Sequence, residues 1–486
     1  MSRKDEIAWL DATAQAELVG KGAVTPAELA QAAIGRIEQL NPQLNCVIYP
    51  RYDKARAHAR ERRAIPQGPF HGVPFLMKDL LQTNEGEPFS WGWKPFKEAK
   101  LVAQTTSYVA TKFHAAGLIT LARTTVPEWG ATLSTETRAW GATRNPWNPE
   151  RIAGGSSGGA AAAVASGMVP IAHGNDAGGS IRIPASFCGL VGLKPSRGRT
   201  SLGPAHAEFW HGLCEEGVLS RSVRDTAAAL DAIAGYMPGD PWMAPPPANP
   251  FRDEVDRAPG RLRVGVMDRA PRSHPGLHPE CVAAVRGAAR LLESLGHTVE
   301  ASHPAALDEE TLTSAFGRVV AGGVARQAAA VEPMLGRAVA AEDFDQWTWF
   351  LIERGRRLKL VDYLAACEWF NHFSRAAAGW FVDGGFDVLV TSTMGQPAPK
   401  LGIFKTAPGE HPRNVGVRLN EVSPFTAPWN IAGQPAISLP LHVSADGLPV
   451  GVQLVARYGR EDLLLRLASQ LEQAAPWSER RPQVRA

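Results

Sequence analysis

Residues 150–196 are rich in glycine, serine and alanine, and this segment constrains the fold more than any other. It begins ERIAGGSSGGAAAAVASG, continues through a strand-like MVPIAHG and ends NDAGGSIRIPASFCGLVGLKPS. Composition alone would fit a flexible linker. The alanine run instead resembles a closely packed helix, and apolar segments follow it immediately. We therefore favour packed structure here.

Helix and strand patterns alternate through the first half of the chain. Residues 5–40 read as two helices, and Thr25-Pro26-Ala27-Glu28 has the form of a capping box at the start of the second. Asn41-Pro42 is expected to end that helix. Strands are expected at 44–49, within 70–83 and at 118–124, with helices at 51–63 and 105–117. This alternation predicts an α/β protein with a layered sheet.

Residues 238–260 are rich in proline and predict a surface connection between an N-terminal and a C-terminal half. Beyond it, RLRVGVMD predicts a strand, and the amphipathic pattern of 279–296 predicts a helix that ends at Gly296. Two further strands are expected, FDVLVTSTM (386–394) and QPAISLPLHV (434–443).

Charge and cysteine content argue against several classes of function. The 51 basic and 48 acidic residues give a net charge of +3 and are spread along the chain, which does not favour nucleic acid as a partner. The five cysteines form no CxxC pair, so neither a disulfide framework nor a metal site is expected. The sequence contains no apolar run near the roughly 18 residues of a membrane span and no apolar signal core at the N-terminus. A soluble, cytoplasmic protein is the expectation.

Lys78 interrupts an apolar strand and is the first candidate for chemistry. Its neighbours are Phe75, Leu76, Met77 and Leu80. Burial among such side chains disfavours the ammonium form and would make a neutral amine available as a base. The competing interpretation is a lysine whose head group reaches solvent.

Two glycine-serine segments supply the other candidates. GGSSGG (154–159) allows unusual backbone conformations around Ser156, although a flexible loop would have the same composition. In Asp176-Ala177-Gly178-Gly179-Ser180, successive backbone N–H groups can point into one concavity and stabilise an oxyanion. The second segment would equally suit an anion-binding turn without catalysis.

Together these segments resemble the amidase signature family of Ser–cisSer–Lys hydrolases. The order Lys78, Ser156, Ser180 and the separation of 24 residues between the serines are similar to that family. Further similarity lies in CGLVGLKPSRGR (188–199), GVLSRSVRD (217–225) and FTAPWNIAGQPAISLP (425–440). The segments 139–148, 172–186 and 459–465 resemble a bacterial subfamily that opens cyclic amides. Ala160 departs from the serine that many members have after GGSSGG.

The resemblance implies a fold and an organisation. It implies an amidase signature fold, a central mixed β-sheet covered by helices on both faces. It also implies one amidase domain over 1–486, with N-terminal helices to about 65, a signature core over about 66–230, the connection at 238–260 and a C-terminal half over 261–486.

The resemblance also implies a mechanism for amide hydrolysis. Ser180 would attack the carbonyl and form an acyl-enzyme, with Ser156, preceded by a cis peptide, relaying protons to neutral Lys78. The oxyanion hole would consist of the N–H groups of Ala177, Gly178, Gly179 and Ser180. Three residues would support the site: Ser157, Asp176 and Arg182. No metal or cofactor is implied.

The substrate and the partners are less constrained. Linear or cyclic oligoamides, aryl amides, carboxamides, carbamates and esters all suit acyl-enzyme chemistry, and the resemblance is compatible with a homodimer. The aromatic stretches 88–96 and 207–212 are candidates to line or gate an apolar pocket, as well as for ordinary packing.

Three rival interpretations remain. Gly154-x-Ser156-x-Gly158 matches the nucleophile elbow of α/β-hydrolases, but proline and charge precede it where a strand should. A phosphate-binding loop would need a GK[ST] ending or a GxGxxG after a strand. The third rival is a non-hydrolytic or amidotransferase subunit of the same fold that acts on aminoacyl-tRNA with partner chains.

Overall fold

An eleven-stranded mixed β-sheet runs through the described part of this computed structural model, residues 7–272 and 274–486. From one edge to the other, its strands are β1 (Val47–Ile48), β3 (Ile119–Thr124), β2 (Pro74–Lys78), β8 (Ile171–Asp176), β10 (Glu215–Ser220), β9 (Val191–Lys194), β14 (Ala436–Val443), β15 (Pro449–Ala456), β13 (Val388–Ser392), β11 (Arg263–Met267) and β12 (Thr298–Glu300). Strands from before and after the proline-rich connection belong to this one sheet, and they meet where β9 pairs antiparallel with β14. The expected α/β class and mixed central sheet are confirmed.

The first half contributes ten strands and eight helices within the described residues. In chain order they are α1 (Ala12–Gly20), α2 (Pro26–Leu44), β1 (Val47–Ile48), α3 (Tyr52–Arg60), β2 (Pro74–Lys78), α4 (Lys94–Glu98), α5 (Tyr108–Ala115), β3 (Ile119–Thr124), β4 (Glu136–Thr137), β5 (Gly141–Ala142), β6 (Arg144–Asn145), β7 (Asn148–Ile152), α6 (Gly158–Ala165), β8 (Ile171–Asp176), α7 (Arg182–Cys188), β9 (Val191–Lys194), β10 (Glu215–Ser220) and α8 (Val223–Ile233).

Among its described residues, the second half supplies five strands and the two longest helices. They are β11 (Arg263–Met267), α9 (Pro279–Ser294), β12 (Thr298–Glu300), α10 (Thr311–Leu335), α11 (Gln346–Arg356), α12 (Leu360–Val382), β13 (Val388–Ser392), α13 (Arg413–Val422), α14 (Ala427–Ala432), β14 (Ala436–Val443), β15 (Pro449–Ala456) and α15 (Glu461–Ala474). Short 3₁₀ helices lie between these elements at Arg62–Ala64, Glu128–Gly130, Phe251–Glu254, Ala305–Asp308 and Ala341–Asp343.

Helices cover both faces of the sheet because its strands are apolar on both sides. Along β2, the side chains of Phe75 and Met77 pack into a cluster with α5 and α8. Leu76 points to the opposite face and packs with α2 and α6. The second half repeats this arrangement, with α9 and α15 on one face and α10, α12 and α14 on the other.

The alanine-rich segment forms α6, and all eight of its residues are buried. Small side chains let this helix lie close to the chain around it. At Gly159, an added Cβ would lie 2.5 Å from the backbone nitrogen of Thr125 and 2.6 Å from its oxygen. The linker interpretation of residues 150–167 is therefore wrong, and the packed-helix interpretation is confirmed.

Helix α2 begins as predicted and ends later than predicted. Thr25 accepts a hydrogen bond from the Glu28 N–H, and the Glu28 carboxylate accepts one from the Thr25 N–H, which completes the capping box. Pro42 does not end the helix, which continues to Leu44. Proline lacks only one donor, and Asn45 then closes the last turn in a left-handed conformation with φ of 49°.

Strand and helix boundaries elsewhere agree with the sequence to within a few residues. The strand expected at 44–49 shortens to Val47–Ile48, because Leu44 belongs to the preceding helix. The helix expected to end at Gly296 ends at Ser294. Among the described residues, no helix combines the length and apolar character needed to cross a bilayer.

Candidate active site

Lys78 is the last residue of β2, and the parallel pairing of β2 with β8 determines what lies beside it. The register aligns Leu76 with Ala172, so both strands end at the same edge of the sheet. The carboxyl ends of parallel strands are where α/β proteins usually place their ligands. This edge brings Lys78 next to Asn175 and Asp176, the last two residues of β8.

The Lys78 amine has three polar contacts, and all are buried. Its Nζ lies 2.8 Å from Ser156 Oγ, 3.1 Å from the Asn175 carbonyl oxygen and 2.5 Å from Asn175 Oδ1. The Asn175 side chain is oriented by its Nδ2, which donates to the Leu80 carbonyl oxygen at 3.1 Å. A neutral amine has two N–H donors and one lone pair. With both donors on Asn175, the lone pair is left for the Ser156 hydroxyl.

Burial favours the neutral form of this amine. Lys78 is completely buried, and desolvation lowers its pKa to about 7. The nearby Cys214, Glu216 and Asp176 oppose that shift without cancelling it. The Glu216 carboxylate is itself engaged by His173 Nε2 at 2.5 Å and by Gln82 at 2.7 Å. Lys78 is thus able to accept a proton near neutral pH, and the interpretation of a solvent-reaching lysine is wrong.

Ser156 and Ser157 lie at the start of α6, and both are buried. The peptide bond between Gly155 and Ser156 is cis. The Ser157 hydroxyl donates to the Asn175 carbonyl at 3.3 Å, the same oxygen that the Lys78 amine contacts. The Ser157 N–H donates to the carbonyl oxygen of Ser180 at 3.2 Å. Ser157 therefore connects the start of α6 both to the end of β8 and to the turn that contains Ser180.

Ser180 lies between β8 and α7, in the tight turn predicted from DAGGS. Its hydroxyl makes no hydrogen bond with any residue in the described part of the chain, so the Ser180–Ser156 link of a relay is not formed here. Such links are often long in proteins without substrate and tighten when it binds. Ser180 and Ser156 nevertheless face the same cavity.

The backbone donors beside Ser180 are not equivalent. The Gly179 N–H is already engaged, because it donates to Asp176 Oδ1 at 2.7 Å. Within the described ranges, no acceptor takes the N–H groups of Ala177, Gly178 or Ser180, and all three residues line the cavity. The sequence prediction included all four N–H groups; in the structure that of Gly179 is engaged within the turn, and those of Ala177, Gly178 and Ser180 stay candidates for the oxyanion hole.

Asp176 and Arg182 hold this turn in place. The Asp176 carboxylate also accepts from the Ile181 N–H at 3.1 Å and from Arg182 Nη2 at 2.9 Å. Burial alone would raise the pKa of Asp176, but the Arg182 guanidinium and its hydrogen bonds hold it well below its usual range. Arg182 also donates to the Thr426 carbonyl and to Gln453, so the turn is anchored to the second half of the chain. Neither side chain lines the cavity, which fits the supporting role expected for them.

The cavity itself has a volume of about 450 Å³ and apolar walls. The floor carries Ser156, Asn175 and Ser180, and helices α10, α11 and α13 supply much of the wall. Three lining residues other than glycine have a left-handed backbone, namely Leu81 (φ 66°), Trp129 (φ 52°) and Trp210 (φ 51°). Such conformations cluster at functional sites, where the surrounding packing holds side chains in place.

The two aromatic stretches have different positions. Phe209 and Trp210, from the 207–212 stretch, line the cavity as expected. The 88–96 stretch does not line it; Trp93, for example, packs behind the wall, 5.0 Å from Trp129 between ring centroids. Burial against a larger apolar cluster explains this stretch fully.

Two positions in contact with the candidate residues were not singled out from the sequence. Asn175 lies inside the segment 172–186 but was assigned no role of its own, yet it contacts Lys78 through both oxygens. Its position at the end of a strand expected beside Lys78 was an available signal. Thr426 donates to the Gly178 carbonyl at 2.6 Å and steadies the turn from the second half of the chain. Nothing local in the sequence marks that contact.

Comparisons with known proteins identify the family of this chain. A sequence profile of the family described as Amidase matches residues 28–465. The chain is 42% identical over 482 residues to 6-aminohexanoate-cyclic-dimer hydrolase of Paenarthrobacter ureafaciens, covering 98% of this chain and 97% of that one.

Among solved structures, the same enzyme superposes better on this chain than an amidotransferase subunit does. The structure of 6-aminohexanoate cyclic dimer hydrolase complexed with substrate superposes with a TM-score of 0.93 at 41% identity, over 98% of this chain and 99% of that one. A subunit of glutamyl-tRNA(Gln) amidotransferase from Thermotoga maritima gives a TM-score of 0.74 at 25% identity, over 99% and 98%. The subfamily resemblance is therefore confirmed, and the amidotransferase alternative is not favoured.

Proposed function

Because this chain belongs to the amidase family and is a hydrolase of amide C–N bonds, we propose that it cleaves small linear or cyclic oligoamides through a seryl acyl-enzyme. The observation that carries the mechanism is the 2.8 Å contact between the buried Lys78 Nζ and Ser156 Oγ, on the floor of the cavity that also contains Ser180. The relative complexed with its substrate supports the substrate class, since it shares 41% of its sequence with this chain.

Proton transfer follows from the charge of the amine. Ser180 Oγ bonds to the substrate carbonyl carbon while its proton passes to Ser156, whose own proton passes to neutral Lys78. The developing oxyanion is placed to accept from the N–H groups of Ala177, Gly178 and Ser180, and removal of one such donor typically costs about 3 kcal/mol. Collapse of the intermediate expels the amine, which takes a proton back from the Ser156–Lys78 pair. Water then repeats the sequence and releases the acid.

Labelling with a fluorophosphonate probe tests the nucleophile. We expect the probe to modify Ser180, as mapped by mass spectrometry, because only an activated serine reacts at a useful rate. The Lys78→Ala variant should remain folded and lose the label, and Ser180→Ala should lose it completely. Preincubation with 6-aminohexanoate cyclic dimer should protect the wild type.

Two results would contradict the proposal. Modification of Ser156 or Ser157 would move the nucleophile to the glycine-rich loop and revive the elbow interpretation. Turnover of cyclic dimer, aryl amide and ester substrates by the Ser180→Ala variant at the wild-type rate would remove Ser180 from the reaction.

A further inference from the structure

The charges that line the cavity are all of one sign. Among its lining residues, the ionised side chains are two arginines, Arg354 of α11 and Arg413 of α13, and neither aspartate nor glutamate lines it. In the described part of the chain, neither guanidinium has an ion pair or a side-chain hydrogen bond. An apolar chamber with two unpaired guanidinium groups is suited to a ligand that is apolar near the reacting centre and anionic farther away.

The three carboxylates on α10, α11 and α13 pair with other arginines or do not line the cavity. Glu353, the one acid on α11, pairs with Arg356 at 3.4 Å and Arg357 at 2.8 Å. Glu332 on α10 also pairs with Arg356, at 3.6 Å. Glu421 on α13 does not line the cavity. Arg354 and Arg413 are thus left without a local counter-charge, although other arginines on the same helices have one.

The surroundings of the two arginines disfavour their positive charge when no anion is bound. An added Cβ at Gly317 would lie 3.3 Å from Arg354 Nη1, so the guanidinium rests on the backbone of α10 at a residue without a side chain. Burial lowers the pKa of Arg354, and the charge of Arg318 acts in the same direction. Arg413 is the first residue of α13, where the helix dipole disfavours a cation. Stabilisation of α13 therefore does not explain why an arginine stands at position 413.

We propose that Arg354 and Arg413 form a carboxylate subsite, and that the enzyme prefers amides carrying a carboxylate separated from the scissile bond by an apolar spacer. This inference rests on the proposed amide hydrolysis at Ser180 and narrows its substrate class. Guanidinium groups bind carboxylates through paired, charge-assisted hydrogen bonds. The carboxylate would belong either to the acyl part or to the amine part of the substrate.

Two pairs of matched amides distinguish a carboxylate on the acyl part of the substrate from one on the amine part. Adipic acid mono-4-nitroanilide is compared with hexanoic acid 4-nitroanilide, and N-hexanoyl-6-aminohexanoate with N-hexanoyl-hexylamine. In each pair a carboxylate replaces a methyl group. For at least one pair, wild-type kcat/KM should favour the carboxylate about tenfold or more, as a hydrogen bond to a charged group commonly does. The preference should weaken as salt is raised.

Substitution of the two arginines tests whether they cause the preference for carboxylate amides. Arg354→Gln and Arg413→Gln should each reduce the carboxylate-to-methyl ratio at least about threefold, and the double variant should bring it near one. Arg357→Gln is the matched control, because Arg357 pairs with Glu353 and does not line the cavity. It should keep the wild-type ratio. Equal ratios in the wild type and the double variant for both pairs would overturn the subsite.

Binding measurements separate this inference from the proposed function. Calorimetry with the Ser180→Ala variant should show tighter binding of each favoured carboxylate amide than of its methyl partner, and addition of both arginine substitutions should remove the difference. If the wild type hydrolyses none of the four amides while this binding difference persists, amide hydrolysis is at fault and the subsite stands. Equal binding within both pairs would overturn the subsite even if all four amides are cleaved.

Discussion

At the scale of single residues, the site depends on where two polar side chains meet a buried amine. Asn175 takes both donors of neutral Lys78, and the lone pair that remains faces Ser156. A lysine in this environment is a base only while it is unprotonated, so its burial and its function are linked.

Activity should therefore follow the titration of Lys78. Below its pKa of about 7 the amine is an ammonium ion without a lone pair, so kcat/KM should rise with pH through about 7 and then level. Lys78→Arg, which stays protonated, should lose about 10²-fold or more of the activity. Lys54→Arg, at an exposed position, should retain it. A flat profile between about pH 5.5 and 8.5 would mean that another group is the base.

The sequence was sufficient to single out the candidate residues but not their detailed partners. Lys78, Ser156 and Ser180 each stand out because a polar group interrupts an apolar or glycine-rich pattern. The distinction between Gly179 and its neighbours depends on the direction of individual N–H groups, which the pattern does not contain. The contact of Asn175 with Lys78 depends on the register between two strands that are far apart in sequence.

At the scale of elements, small residues let strands and helices approach closely. These close contacts fix the position of the segment that carries Ser156 and Ser157. Helix α6 carries Ser156 and Ser157 at its start and presses Gly159 against the backbone of Thr125, which directly follows β3. The alanine run predicted this helix correctly. The prediction that Pro42 ends its helix was wrong, because this proline removes only one N–H and the helix continues to Leu44, where Asn45 closes it in a left-handed conformation.

Two glycine substitutions with opposite outcomes test this packing. Gly159→Ala would place a methyl group 2.5 Å from a backbone nitrogen and should lower the free energy of unfolding by about 1–3 kcal/mol. Gly287→Ala, within α9 and with no atom within 4 Å of the added methyl, should raise it by about 0.5–1 kcal/mol. Urea unfolding followed by circular dichroism measures both. Equal effects of the two changes would show that contact with Thr125 does not limit this position.

At the scale of the whole molecule, the turn between β8 and α7, which contains Ser180, connects the two halves of the chain. Arg182 pairs with Asp176 in the first half and donates to the Thr426 carbonyl and to Gln453 and Asn430 in the second. The sequence predicted the motifs on each side. It did not predict the cavity wall, because α10, α11 and α13 contain no motif and reach the site only through the topology of the complete sheet.

Loss of the Asp176 charge should weaken this connection between the two halves of the chain. Asp176→Asn leaves the buried Arg182 guanidinium without its carboxylate, and breaking a buried pair on one side typically costs about 3–5 kcal/mol of stability. The midpoint of thermal unfolding should fall accordingly, while Asp446→Asn, at an exposed position, should leave it unchanged. An unaltered midpoint in Asp176→Asn would show that hydrogen bonds alone hold Arg182.

The proposed reacting groups and much of the cavity wall come from separate stretches of the chain. This separation has a consequence for evolution. Residues 78–180 contain the proposed base, both serines and the candidate backbone donors, whereas residues 312–428 supply much of the cavity wall. Mutations in the second stretch can therefore diversify the range of amides accepted without altering bond cleavage. A combinatorial library restricted to the cavity-facing positions of α10, α11 and α13 should yield altered selectivity far more often than inactive protein.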